Sequence, residues 1–311
     1  MKIAMIVVTL NDDYKFNQWV KFHNEYQPCI YKHIIVDNGS DSSYVEELKR
    51  NFQKSIIIEL KTNMGLTTAY NKGIEYALID NEVDSIFLMA NDIRMTKESI
   101  ETLYDFLFDN NLDMVSPILL EGNSNIINDF GSQITKMMFM KPYMKGRFLS
   151  DLDNNQAINL CQALTGGVNL ARRSFYETIG YQDEHLFMYS DEVDIGIRAR
   201  KKGLKMAGIR SSIAWHNHIN RSGIRNRNSY TGFLIARNKV YLSRKHFGIL
   251  YSILVFIYMQ FFVSVGLIKL VLKRNQFNFS YLIQFSKGSF YGLFNNMNNK
   301  RFIAMNNKEN D

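Results

Sequence analysis

Polar residues stand where apolar runs of this sequence end, and that placement is the first pointer to chemistry. Asp37 follows the run 34–36, Asn91 and Asp92 follow 86–89, Thr9 and Asn11 close 3–8, and Asn63 and Gly65 follow 56–60. A second group, Asp191, Glu192 and Asp194, gathers three carboxylates in one short stretch. His216 directly follows Ile213-Ala214-Trp215, with His218 beyond it. Carboxylate oxygens suit a hard divalent cation, imidazole can complete such a shell, and a carboxylate can take the proton of an attacking hydroxyl. Each position also has a plain structural reading. Asn, Asp and Gly make turns and helix caps, and Asp194 can orient a helix in which Arg198, Arg200, Lys201 and Lys202 pair with carboxylates.

The apolar runs dictate what must hold these groups. Between them lie helix-compatible stretches around 16–26, 44–52 and 67–78. Short, nearly all-apolar strands alternating with helices predict an α/β fold with a parallel sheet covered on both faces. In such sheets ligands bind beyond the carboxyl ends of the strands, where the polar residues lie. No Gly-x-Gly-x-x-Gly follows the first strand, which disfavours a dinucleotide-dependent dehydrogenase. Residues 1–10 are apolar but give way at once to Asn11, Asp12 and Asp13, so they read as a strand rather than a secretory signal.

A chain of 311 residues that is 46% hydrophobic can bury one large core or two modest ones, which excludes disorder of the whole. Cys29 and Cys161 have neither metal spacing nor a paired framework, suit a reducing compartment, and read as packing residues. The net charge of +7 is unevenly spread. From Arg221 onward the only acids are Glu309 and Asp311, against bases that include Arg237, Lys239, Arg244, Lys245, Lys269 and Lys287, and the first 220 residues are net acidic. Residues 247–268 carry no charge and as a helix would extend about 33 Å, enough to span hydrocarbon. Bases flank both ends of that stretch, so no direction of crossing is preferred. The aromatic segment 277–294 would return as a hairpin arm or lie in the interface. An anionic membrane surface, not nucleic acid, is the expected partner of this basic region. The expected organisation is a catalytic domain at 1–225, a helical membrane-associated region at 226–294 and a loose Asn-rich tail at 295–311.

Order and spacing together resemble the inverting glycosyltransferase family 2, particularly its rhamnosyltransferase-like members that act on bacterial surface polysaccharides. The residues that carry the likeness are Val7-Val8-Thr9-Leu10-Asn11, Ile35-Val36-Asp37-Asn38-Gly39-Ser40, the segment from Asn63 to Gly73, and Leu88-Met89-Ala90-Asn91-Asp92. It continues through Thr165-Gly166-Gly167, Gly180-Tyr181-Gln182-Asp183-Glu184, Phe187 to Asp194, Ala214-Trp215-His216 and Ala236-Arg237-Asn238-Lys239. The resemblance implies a GT-A fold, a UDP- or dTDP-sugar donor, a divalent cation (Mg2+ or Mn2+) and inversion at the anomeric carbon. It further implies a lipid-linked glycan acceptor at the cytoplasmic face of the cell membrane.

Residue by residue, the likeness assigns the cation to Asp92 and His216, and the donor to Thr9, Asp37, Asn63, Gly65, Asn71, Asn91, Asp92, Gly166 and Gly167. It turns Asp183, Glu184 and Asp194 toward the acceptor. The base falls on Glu192 by position, with Asp191 as its rival, because the family commonly has Glu-Asp where this chain has Asp-Glu. Ala90 stands where the family often has Asn or Asp, and Gln182 replaces a usual Phe. These departures keep one alternative in play, a membrane-bound assembly protein that retains the fold without turnover.

Overall fold

The computed structural model describes residues 1–153, 155–216, 229–272 and 279–299. His218 and the expected domain boundary at 225 lie outside the described residues. In the first half, β1 (Ile3–Thr9), α1 (Asp13–Tyr26), β2 (Lys32–Asp37), α2 (Ser42–Asn51), β3 (Ile56–Glu59), α3 (Leu66–Ile79) and β4 (Ser85–Met89) alternate as the apolar runs predict. Then follow β5 (Ile93–Met95), α4 (Lys97–Asp109), β6 (Met114–Glu121), β7 (Ile127–Asp129), β8 (Ser132–Ile134), β9 (Met140–Pro142) and β10 (Ile158–Cys161). The chain continues as β11 (Val168–Arg172), α5 (Arg173–Ile179), α6 (Asp191–Lys201), β12 (Met206–His216), α7 (Ser229–Phe247), α8 (Ile249–Val271) and α9 (Phe279–Leu293).

The main sheet runs in the order β10-β12-β6-β11-β4-β1-β2-β3. Parallel pairing joins β1 to β2 and β4, β2 to β3, and β6 to β12, while β11 lies antiparallel between β4 and β6. Alternation along β1 supplies both faces. Ile3, Met5 and Val7 pack with Phe16, Trp19, Tyr44 and Leu103 from α1, α2 and α4. Ala4 and Ile6 pack with Ala69, Ile74, Phe175 and Ile195 from α3, α5 and α6. Because β2 and β4 flank β1 on opposite sides, the connections out of the sheet diverge there and leave a crevice at its carboxyl edge.

Helices α7, α8 and α9 share a separate apolar cluster that includes Val240, Val255, Met259 and Phe285. Helix α8 has 23 residues and a mean hydropathy of 2.1, long and apolar enough to cross a membrane. Helix α9 has 15 residues, short of the about 20 that spanning requires, and buries Tyr281, Leu282 and Phe285. Among the described residues a hairpin of two spanning arms is therefore absent. The basic surplus is also partly interior: Arg237 and Lys239 are buried, Lys245 Nζ pairs with Asp183 and Asp194, and Arg244 donates to the Leu293 carbonyl at the end of α9. Where a loose tail was expected from 295, Met297 is buried with Leu186 and Leu242, and Asn299 donates to the Glu184 carbonyl.

The start of α3 is the point where distant segments meet. Gly65 turns the chain into α3 at φ +91° and ψ 158°, a backbone region open essentially only to glycine. A Cβ there would approach the Phe187 ring at 2.5 Å and the Phe187 carbonyl oxygen at 2.7 Å. Gly65→Ala is therefore expected to lower the unfolding free energy by about 2 kcal/mol or more in urea denaturation, and a loss under about 0.5 kcal/mol would contradict this packing.

Candidate active site

A cavity of about 480 Å³ opens at the carboxyl ends of β1 and β4. Thr9, Asn63, Asn91, Asp92, Gly166, Gly167, Asp191 and Glu192 all line it. At its sheet end the polar groups form one network. Thr9 Oγ1 lies 2.5 Å from Tyr44 Oη, and Asn91 Nδ2 donates to Asp12 Oδ2 at 2.8 Å. Across the floor, Asn38 Nδ2 donates to Asn63 Oδ1, which also accepts from the Gly65 N–H.

Asp92 and His216 meet although 124 positions separate them in the sequence. Strand β5 returns from Asp92 antiparallel to the end of β12, in the register that sets His216 beside Ile93. Strand β12 reaches that place through a bulge between Ile209 and Ile213, pairing with β10 before it and β5 after it. His216 Nε2 is then 3.3 Å from Asp92 Oδ1, while Lys15 Nζ is 3.0 Å from Asp92 Oδ2. Burial opposes ionisation of Asp92, but the His216 hydrogen bond and the Lys15 charge outweigh it and hold the carboxyl down at about 2.

Asp92 lines the cavity and His216 contacts it from beside the wall, so a carboxylate oxygen and an imidazole nitrogen, the donor types that suit a divalent cation, lie together at its edge. Among the described residues no third His, Cys, Asp or Glu completes a protein-only cage. Substrate phosphates and water commonly fill the rest of such a shell.

The opposite wall comes from the N-terminus of α6. Phe187, Tyr189 and Ser190 have positive φ of 64°, 69° and 66°, a run that non-glycine residues rarely adopt. Buried Asn238 holds it by donating to the carbonyls of Leu186, Met188 and Tyr189, and buried Arg237 donates to those of His185 and Leu186. The run delivers Asp191 and Glu192 to the cavity. Asp191 is 4% exposed, and burial together with the adjacent Glu192 charge raises its pKa well above the usual carboxylate range. Glu192 is half-buried; its Oε1 accepts from the Gly166 N–H at 3.3 Å, and a Cβ on Gly166 would meet that oxygen at 2.8 Å.

Other residues expected at the site lie behind it. Asp37 is 1% exposed and does not line the cavity; its Oδ2 accepts from the N–H groups of Gly39 and Ser40, its Oδ1 has no hydrogen-bond partner among the described residues, and burial raises its pKa. Asn71 exchanges hydrogen bonds with the Gln182 backbone and donates to Glu184 Oε1, tying α3 to the loop before α6. Asp183 accepts from Tyr241 and Lys245 on α7. Asp194 is fully buried among Arg198, Lys245 and His246, which hold its pKa down against the cost of burial. Asp183, Glu184 and Asp194 thus join α6 to its neighbours and do not line this cavity. Inspection of strand ends overlooks Asp12 and Lys15, which do line it. Their three-residue spacing at the start of α1, placing both on one helix face, is the signal that finds them.

Comparison with known proteins follows the same outline. The family model described as Glycosyl transferase family 2 matches residues 20–180. The chain is 25% identical over 221 residues to the low-salt glycan biosynthesis hexosyltransferase Agl10 of Haloferax volcanii, covering 69% of this chain and 68% of that one. The mannosyltransferase PcManGT of Pyrobaculum calidifontis, solved with GDP-Man and Mn2+, superposes with a TM-score of 0.55 at 9% identity, over 94% of this chain and 87% of that one. GalNAc-T7, solved with UDP, GalNAc and Mn2+, superposes with a TM-score of 0.61 at 15% identity over 78% of this chain, which spans 48% of that structure. The architecture is therefore GT-A-like, and the chain belongs to glycosyltransferase family 2.

Proposed function

We propose that this protein transfers a sugar from a nucleotide-diphosphate donor to a hydroxyl of a glycan acceptor, with inversion at the anomeric carbon. The observation that carries the reading is the cavity with Asp92, backed by His216, on one wall and Glu192 on the other. The donor is read as a UDP- or dTDP-sugar lying over the ends of β1 and β4, with its base toward Asp37 and Asn38. A divalent cation, Mg2+ or Mn2+, held by Asp92 and His216 would neutralise charge gathering on the departing diphosphate. Glu192 takes the proton of the acceptor hydroxyl as its oxygen bonds the anomeric carbon from the face opposite the leaving group. The bond from that carbon to the diphosphate oxygen breaks, and its electron pair leaves with the nucleotide. Burial beside Glu192 raises the pKa of Asp191, which favours Glu192 as the base.

The acceptor is read as lipid-linked, presented at the cytoplasmic face of a membrane. Helix α8 supports this with an exposed apolar stripe, Leu250, Leu254, Ile257 and Phe261, at helical spacing.

Two measurements test the assignment. Purified protein with Mn2+ and a panel of nucleotide sugars should consume one donor in the presence of acceptor, giving a product of inverted anomeric configuration by NMR. Asp92→Ala should abolish consumption, full activity in that variant would sink the cation site, and no turnover of any donor would favour a non-catalytic assembly protein. Glu192→Gln should slow transfer by about 10²–10⁴-fold and Asp191→Asn by less than about tenfold; the reverse order would make Asp191 the base.

A further inference from the structure

A second cavity, of about 460 Å³, lies between the catalytic domain and the C-terminal helices. Tyr189 and Glu192 line both cavities and form the partition between them. Phe139, Phe262, Tyr281 and Phe285 supply its walls. The volume falls within the about 300–1,000 Å³ typical of small-molecule sites, which are mostly apolar with a few placed polar groups.

One charged group faces this space without a carboxylate partner. Lys239 is 6% exposed; its Nζ donates to the Met138 carbonyl at 2.6 Å and lies 4.1 Å from the centre of the Phe139 ring. Among the described residues no Asp or Glu lies within ion-pair distance of it. An ammonium has three donors and this one spends a single hydrogen bond, so two remain for a ligand. Burial lowers its pKa to about 8, partly offset by Glu192, so it remains mostly charged at neutral pH. A buried cation without a counter-ion is costly, and an anionic ligand offsets that cost.

The surroundings identify the ligand's chemistry. Phe262, in the cavity wall, adjoins Phe261, which is 66% exposed on the apolar stripe of α8. A molecule in this cavity therefore meets the Glu192 carboxylate, the Lys239 ammonium and aromatic walls, with Phe262 next in the chain to the exposed apolar stripe of α8. We propose that this second cavity is the acceptor subsite, and that Lys239 binds the phosphate joining the acceptor sugar to its hydrocarbon carrier. The inference rests on the reading of Glu192 as the base and extends it to the acceptor's anionic link. The acceptor hydroxyl would reach Glu192 from the side away from the donor, with the carrier chain leaving along α8.

The test is binding, which does not depend on turnover. Farnesyl phosphate, titrated below its micelle concentration into the full chain, serves as the lipid phosphate; farnesol and inorganic phosphate separate the contributions of chain and charge. Farnesyl phosphate should bind at least about tenfold more tightly than either, and Lys239→Met should remove about tenfold or more of that affinity while Lys239→Arg retains most of it. Ile235→Trp, which fills the cavity without touching the charge, should also block farnesyl phosphate while leaving Mn2+·UDP binding within about threefold. Farnesol binding as tightly as farnesyl phosphate, or equal affinity in wild type and Lys239→Met, would overturn the subsite. If Lys239→Met does not fold, unchanged binding in Ile235→Trp overturns it instead. Donor consumption by a protein that fails these tests would leave glycosyl transfer standing, whereas a wild type that binds neither UDP nor dTDP with Mn2+ would sink the transfer reading and with it the acceptor role of this cavity.

Discussion

Four backbone carbonyls, those of His185, Leu186, Met188 and Tyr189, accept hydrogen bonds from two buried side chains on α7, and the geometry of the site depends on them. The run of positive φ at Phe187, Tyr189 and Ser190 costs on the order of 1–2 kcal/mol per residue, and an unsupported loop would relax out of it. Arg237 and Asn238 are fully buried, so releasing the loop would strand a guanidinium and an amide away from water. The strained backbone and the buried donors therefore hold each other. Their joint product is Glu192 at the cavity wall, with Phe187 seated over Gly65.

The catalytic domain and its C-terminal helices consequently act as one structural unit. Lys245 and His246 reach from the end of α7 to Asp194 on α6, Tyr241 reaches Asp183, and Asn299 returns to the Glu184 carbonyl. Any force that moves α7 is transmitted to α6 through buried ion pairs, which are strongly disfavoured once broken. A helix group that lies on a membrane through α8 would thus hold the cavity in a fixed relation to the bilayer surface. Such coupling suits an enzyme whose acceptor is itself membrane-borne.

Strands and helices of the first half were legible because β-branched apolar runs bury both faces of a parallel sheet, as in β1, and helical periodicity fills the gaps between them. Asp92 was legible for the same reason, as the polar end of such a run. The pairing of Asp92 with His216 came from the family likeness alone, because it needs a bulge in β12 and a three-residue strand, β5, whose pairing has no local signature. Asp194 read equally well as a helix-orienting residue or an acceptor contact until α7 supplied Lys245 and His246. Lys239 and Arg237 counted among the bases expected to meet an anionic membrane surface, and long cationic side chains are almost never fully buried. Only the packing of α7 against the loop before α6 turns them inward.

The most direct test of this account compares donor binding with transfer in Asn238→Ala. Removing that amide frees the carbonyls of Met188 and Tyr189, leaves that of Leu186 to Arg237, and keeps Asp92, His216 and the ends of β1 and β4 in place. The account predicts that Mn2+·UDP binds the variant within about threefold of wild type while single-turnover transfer falls by about tenfold or more, because a base displaced by an ångström loses most of its effect. Unchanged transfer, or equal loss of binding and transfer, would contradict it.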